Sequence, residues 1–167
     1  MKELLKNSEL FSGMEEGHLS NLLEVARKET FPSGKYLFLL GGHADRLFVV
    51  LEGRIETCFP LSFGGAVKDV AVEPKTAGSA LGWSALVKPH QFTLSARAAE
   101  RSTVAAFHRQ DLLAVLESDC SIGQAFMGRL AEIMGRRLLT IQALWARELQ
   151  RAVAGGWAGL PFPATRP

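Results

Sequence analysis

Cysteine is scarce in this 167-residue chain: Cys58 and Cys120 stand far apart, in no metal-ligand spacing. The expectation is reduced thiols in a cytoplasmic protein. Excess charge of one sign is also missing. The formal net charge is +2, so the totals show no strong nucleic-acid footprint. Long apolar runs are absent, because charge or glycine interrupts each one well short of a membrane span. The start, Met1-Lys2-Glu3-Leu4-Leu5-Lys6, has mixed charge and no apolar core, so it does not read as a signal peptide. No Ser/His/Asp set, paired carboxylates or metal cluster emerges, so an enzyme reading has no residues to carry it. The four histidines, His18, His43, His90 and His108, are scattered over a helix, a turn, a loop and a strand end.

What is present is an ordinary folding composition, 47% hydrophobic and 22% charged. The length suits one domain with a sizeable core and one extension. The opening segment reads as helical to about Lys28, with Leu19, Leu22, Leu23, Val25 and Ala26 on one face. From Thr30 the texture changes to short β segments. These are Tyr36–Leu40, Arg46–Leu51, Arg54–Phe59 and Val67–Val72, with a hairpin loop over Leu61–Ala66. Short strands at this spacing, with glycine turns, indicate an all-β roll or barrel.

The stretch Gly78-Ser79-Ala80-Leu81-Gly82-Trp83-Ser84-Ala85-Leu86 then stands out. Two glycines four positions apart precede small residues that open one short helical turn. Such a turn presents free backbone N–H groups to one point, the usual way to hold an anion. Small residues at Gly82, Ser84 and Ala85 let a ligand approach the backbone.

Phe31-Pro32-x-Gly34 and Gly42-x-Ala44-Asp45-x-Leu47-Phe48-x-Val50-x-x-Gly53-Arg54 resemble the front half of the cyclic nucleotide-binding domain. Gly78-x-x-x-Gly82-x-x-x-Leu86, Ala96-x-Ala98 and Val104-Ala105-x-Phe107 resemble its back half, including the phosphate-binding cassette. This is the sensor domain of catabolite-activator-type regulators, and the resemblance spans about Leu10 to Leu149. It implies an eight-stranded jelly-roll β-barrel with helices before and after it, and a long C-terminal helix that pairs in a dimer. The fold class is therefore mainly β with flanking helices.

The departures concern the ligand. Members that bind cAMP place a Glu after the second cassette glycine, where it holds the ribose 2′-OH; here that position is Trp83. They also place an Arg beside a Ser or Thr to hold the cyclic phosphate. Counting back from Ala98, those positions fall on Phe92 and Thr93, with a one-residue gap in the register. Alternation sets Arg97 and Thr93 on one strand face and Phe92 on the other, so Arg97 compensates only if the strand bulges or slips. Charge-assisted hydrogen bonds contribute about 1.5–3 kcal/mol each, so losing both grips lowers cAMP affinity by several powers of ten. The candidate ligand-binding residues are Gly82, Trp83, Ser84, Ala85, Phe92 and Thr93. No cofactor is assigned. A cyclic nucleotide, another small anionic or aromatic ligand, or a pocket filled by the two rings all remain open. Some relatives hold haem through a His, which makes His90 conceivable, but no second axial group is paired with it.

After a short helix over Arg109–Leu116, apolar residues recur at three and four residue spacing from Ile122 to Leu149. From Ser121 to Ala152 that helix is about 48 Å long, more than one barrel covers. The leftover stripe is expected to bury against a second copy, giving a homodimer. Arg129, Arg136, Arg137, Arg147 and Arg151 read as a solvated face. Residues 155–167 form a Gly/Pro tail that cannot build the winged helix-turn-helix of full regulators, so no DNA-binding domain is expected in this chain. The expected organisation is a β-roll with N-terminal helices over 1–118, a dimerisation helix over 119–154 and the tail. The expected function is a regulatory small-ligand-sensing module that is not a tight conventional cAMP binder. A ligandless dimerisation module and a sensor fragment of a larger regulator are the alternatives.

Overall fold

The structure is a computed structural model that describes residues 1–154, apart from the side chain of Phe63. The tail expected over residues 155–167 lies outside the described residues. Contacts divide the chain into a unit ending at Leu130 and one starting at Ala131. The first opens with helices α1 (Lys2–Lys6) and α2 (Glu16–Glu24). Eight strands follow: β1 (Ala26–Phe31), β2 (Tyr36–Phe38), β3 (Arg46–Glu52), β4 (Ile55–Phe63), β5 (Ala66–Lys75), β6 (Ala80–Leu81), β7 (Ser95–Ala98) and β8 (Ser102–His108). Helix α3 (Arg109–Ser118) leads into the long helix α4 (Cys120–Ala154).

The strands form two four-stranded antiparallel sheets in the orders β1-β8-β3-β6 and β2-β7-β4-β5, a jelly roll. β3 and β8 read as continuous apolar runs because both their faces are covered. One face, through Phe48, Val50, Val104 and Ala106, meets Leu37, Ile55, Ala96 and Ala98 of the opposite sheet in the core. The other face lies under the helices. There the Phe11 ring sits 5.4 Å from Phe107 and 5.8 Å from Phe126 of α4.

Two local expectations are corrected. The N-terminal helix ends at Glu24 rather than near Lys28, because Ala26–Phe31 is taken up by pairing with β8, from Ala26↔Phe107 to Phe31↔Ser102. The hairpin loop expected over Leu61–Ala66 is mostly strand. β4 runs to Phe63 and β5 starts at Ala66, so only Gly64 and Gly65 turn, at φ 56° and 84°. Both central residues lie in the left-handed region, the two-residue hairpin geometry that glycine favours. β7 pairs β4 only over Ile55–Cys58, so Phe59–Val70 extends past the sheet as a two-stranded ribbon.

In the unit starting at Ala131, α4 continues to Ala154. Leu138, Leu139, Ile141, Leu144 and Trp145 are exposed on it.

Candidate functional site

The site is built where β6 ends. β6 pairs with β3 through Phe48↔Leu81 and Val49↔Ala80. The next residue, Gly82, adopts the left-handed conformation at φ 79° and caps a 3-10 turn over Trp83–Ala85. A Cβ there would lie 2.7 Å from the Arg46 carbonyl oxygen, 3.2 Å from Phe48 Cδ2 and 3.5 Å from Phe92 Cε1. Conformation and space therefore both require glycine. The N–H groups of Ala85 and Leu86 donate back to Gly82 and Trp83 at 3.0 and 2.9 Å. Those of Trp83 and Ser84 open the turn and have no acceptor within it. Ser84 and Ala85 are buried, whereas Trp83 is half-buried.

Phe92 is aimed at this turn by its backbone. It donates to Gly42 at 3.0 Å and accepts from Gly41 at 2.8 Å, and the His90 carbonyl accepts from Ala44 at 2.8 Å. His43 bridges Gln91 within the same short zipper. The ring is 6% exposed and packs with Ala44 and Ala85. It stacks on Phe38 at 3.8 Å and 11°, and Phe38 in turn lies 5.8 Å from Phe48. The Arg46 guanidinium stands 5.2 Å over the Phe48 ring. Its charge is answered by Glu29 at 3.2 Å and Asp45 at 3.7 Å.

Of the residues singled out from the sequence, Gly82, Ala85 and Phe92 come together, Ser84 and Trp83 sit in the same turn, and Thr93 does not join them. Thr93 is exposed in a bend ahead of β7, which begins only at Ser95. The alternation drawn from Phe92 to Arg97 is thus corrected, because it counts through residues that are not strand. Arg97 is engaged by a carboxylate. Its neighbours Ala96 and Ala98 face the core, while Arg97 donates to Glu56 at 3.3 Å, a bond that raises its already high pKa. Beside that pair, the Tyr36 hydroxyl donates to Asp69 at 2.6 Å, which pushes the phenol pKa up, and burial pushes up the Cys58 thiol. His90 has a backbone φ of 59°, and its Nδ1 is buried without a hydrogen-bond partner among the described residues.

Phe38 is the residue that sequence reasoning missed. Strict alternation along Tyr36-Leu37-Phe38 turns Phe38 away from Leu37 and the core. A register irregularity between Tyr36 and Phe38 brings Leu37 into the core while Phe38 also packs against it and against Phe92. Such a bulge leaves no mark in the amino-acid pattern.

Comparison with known proteins follows the same lines. The family model for the cyclic nucleotide-binding domain matches residues 28–119, more than half of the chain. The Cyclic AMP receptor protein of Thermus thermophilus is 26% identical over 134 residues, covering 80% of this chain and 59% of that protein. The chain thus spans about three-fifths of the curated relative it matches. The crystal structure of Thermus thermophilus Catabolite Activator Protein has a TM-score of 0.70 at 24% identity, covering 86% of this chain and 63% of that one. The regulatory domain of Toxoplasma gondii PKA, co-crystallised with cAMP, has a TM-score of 0.64 at 19% identity, covering 83% and 48%. Motif, jelly roll and family match agree: the chain belongs to the cyclic nucleotide-binding domain family.

Proposed function

We propose that this chain is a regulatory small-ligand-sensing module of the cyclic nucleotide-binding type whose cassette does not grip a cyclic phosphate in the usual way. One observation carries the reading. Phe92, where the resemblance expects an arginine, is buried against Gly82 and Ala85 and stacked on Phe38. A cyclic phosphate placed there would meet backbone N–H groups and aromatic rings but no unengaged guanidinium from Arg46 or Arg97. A buried anion without a charged partner is costly, so affinity for cAMP is low and a flatter, more apolar ligand fits better. A second reading is favoured by the same ring: Phe92 fills the pocket itself, and the roll serves only to support helix pairing.

The pairing belongs to the proposal too. Along α4, Ala131, Met134, Leu138, Ile141, Trp145, Glu148 and Ala152 fall at alternating three and four residue steps. That is the seven-residue repeat of a left-handed two-helix coil, with Glu148 its one charged member. Leu138, Ile141 and Trp145 of that seam are exposed in the single chain. A homodimer through α4 covers them. Ile141→Lys should then dissociate the dimer in sedimentation at micromolar concentration. A monomeric wild type would sink this part of the reading. A cytoplasmic setting completes the proposal, consistent with two unpaired thiols and with the absence, among the described residues, of any helix able to cross a membrane.

A thermal-shift panel with cAMP, cGMP, cyclic dinucleotides, haem and fatty acids tests the ligand. A compound at a hundred times its Kd adds about 2.7 kcal/mol of stability. That is a rise of roughly 5–10 °C for a chain of this size. No shift with any of them favours the filled pocket. Trp83→Glu combined with Phe92→Arg should create or strengthen cAMP binding, and an unchanged affinity means the pocket is assigned to the wrong residues.

A further inference from the structure

The inner face of the β2-β7-β4-β5 sheet holds a buried charge. Ile55 lies in the core between the sheets, and Lys75 stands directly opposite it in β5, so both project to the interior. Among the described residues Lys75 is the one charged residue that is buried, at 4% exposed. Lysine is rarely found so deep without a partner. Its ammonium donates to Glu73 Oε1 at 2.5 Å, and the Glu73 side chain is half exposed. An ammonium has three N–H donors. Glu73 is its one partner among the described residues, so two donors remain for acceptors from outside them.

The same face leads to the cassette. One row of paired residues crosses the whole sheet, from Phe38 in β2 through Ala96 and Thr57 to Glu73 in β5. Phe38 is the ring stacked on Phe92 at 3.8 Å. Ala96 is fully buried, and the buried Thr57 hydroxyl donates to the Glu73 carbonyl at 3.1 Å. The row crosses three strand spacings, about 14 Å. Stacked rings stand at one end and the ammonium at the other, with two small side chains between. The arginines of this region are held differently. Arg97 alternates with Ala96 and Ala98 onto the outer face, where it meets Glu56, and Arg46 has two carboxylates.

We propose that this row is the floor of the ligand site and that Lys75 binds the ligand's charge, which makes the ligand an organic carboxylate with a flat apolar body. The inference rests on the reading of the chain as a small-ligand sensor and names the class of ligand. The body lies over Ala96 and Thr57 toward Phe38 and Phe92. The carboxylate takes the place of Glu73 on the ammonium, at the far end of the row from the rings. Glu73 yields because half of its side chain is already in water, where an ion pair contributes little. One ammonium balances one negative charge, so a phosphomonoester dianion would bury a second without a partner.

Calorimetric titration of the full chain with naphthoate and with neutral naphthalenemethanol tests it. Naphthoate should bind tighter than the alcohol by on the order of tenfold, the scale of one charge-assisted bond. Lys75→Met keeps the apolar stem and removes the charge, so the two probes should then bind alike, with the alcohol's own affinity unchanged. Glu73→Gln removes the competing carboxylate and should tighten naphthoate alone. A naphthoate preference that survives Lys75→Met overturns the role of Lys75, as does a Glu73→Gln variant that binds naphthoate no tighter than wild type. An alcohol that matches naphthoate on the wild type also overturns it, while leaving the small-ligand reading in place. Silence of both probes overturns the ligand class; silence of the whole thermal-shift panel besides is what counts against the sensor reading. Should Lys75→Met fail to fold, Glu73→Gln decides by its direction, because a merely structural ion pair gives no gain in affinity when broken.

Discussion

Replacing Phe92 with alanine removes a ring that is 6% exposed from a site with little means to close over the gap. Its neighbours Ala44 and Ala85 carry no side chain that can swing inward. The backbone around it is held by the hydrogen bonds between residues 41–44 and 90–92. Phe38, the ring stacked on it, is already engaged with Phe48. Buried Phe→Ala changes cost about 3–5 kcal/mol, part of it from the void. Loss of a stacked aromatic pair accounts for roughly 0.5–1.5 kcal/mol of such a figure. The expected loss for Phe92→Ala is therefore at least about 3 kcal/mol. Trp83 is half-buried and has no ring stacked on it among the described residues, so Trp83→Ala should cost only about 1 kcal/mol. Urea unfolding reads both. With a slope near 2 kcal/mol per molar, the midpoint should fall by about 1.5 M for Phe92→Ala and about 0.5 M for Trp83→Ala. The slope itself should stay unchanged. A Phe92→Ala midpoint within about 0.5 M of wild type, or equal losses for the two variants, would refute the view that Phe92 rather than Trp83 fills the cassette.

Further outcomes follow from the same geometry. Gly82→Ala should lose about 2–5 kcal/mol, combining a left-handed alanine with a clash against the Arg46 carbonyl; a loss under about 1 kcal/mol in the same unfolding assay would contradict it. Arg97→Met should cost less than about 1 kcal/mol, since its pair with Glu56 is partly open to water, and any ligand response in the thermal-shift panel should survive it. Asp119 accepts from the hydroxyl and the N–H of Ser121 at 2.6 and 2.8 Å, which hold its carboxyl below the usual range. A depressed folded pKa means that its stabilisation is present above the unfolded value of about 3.9 and is lost as pH falls further. Asp119→Ala should therefore melt below wild type at pH 7, with the gap narrowing below about pH 4. A gap that holds constant to pH 3 would show that the carboxylate is not the stabilising form.

Much of this protein was legible in its residues because the information was local. The apolar run of β3, the glycines that turn between strands and the spacing along α4 are each settled within a few neighbours. The motif around Gly82 carries the family for the same reason: a left-handed residue against the Arg46 carbonyl admits glycine alone. Other features depended on contacts between residues far apart in the chain. Val25 and Ala26 extend the helical pattern of α2, yet pairing with β8 satisfies the backbone from Ala26 onward and draws it into a sheet. Phe38 meets Phe92 only because β2 is irregular in its pairing with β7, and Glu9 meets Ala80 only because β6 leaves an open edge. Sequence alone thus determined the fold class and the family, though not every element boundary. Tertiary structure decided which side chains surround Gly82, because Phe38 and Phe92 are brought together by strand register rather than by spacing along the chain.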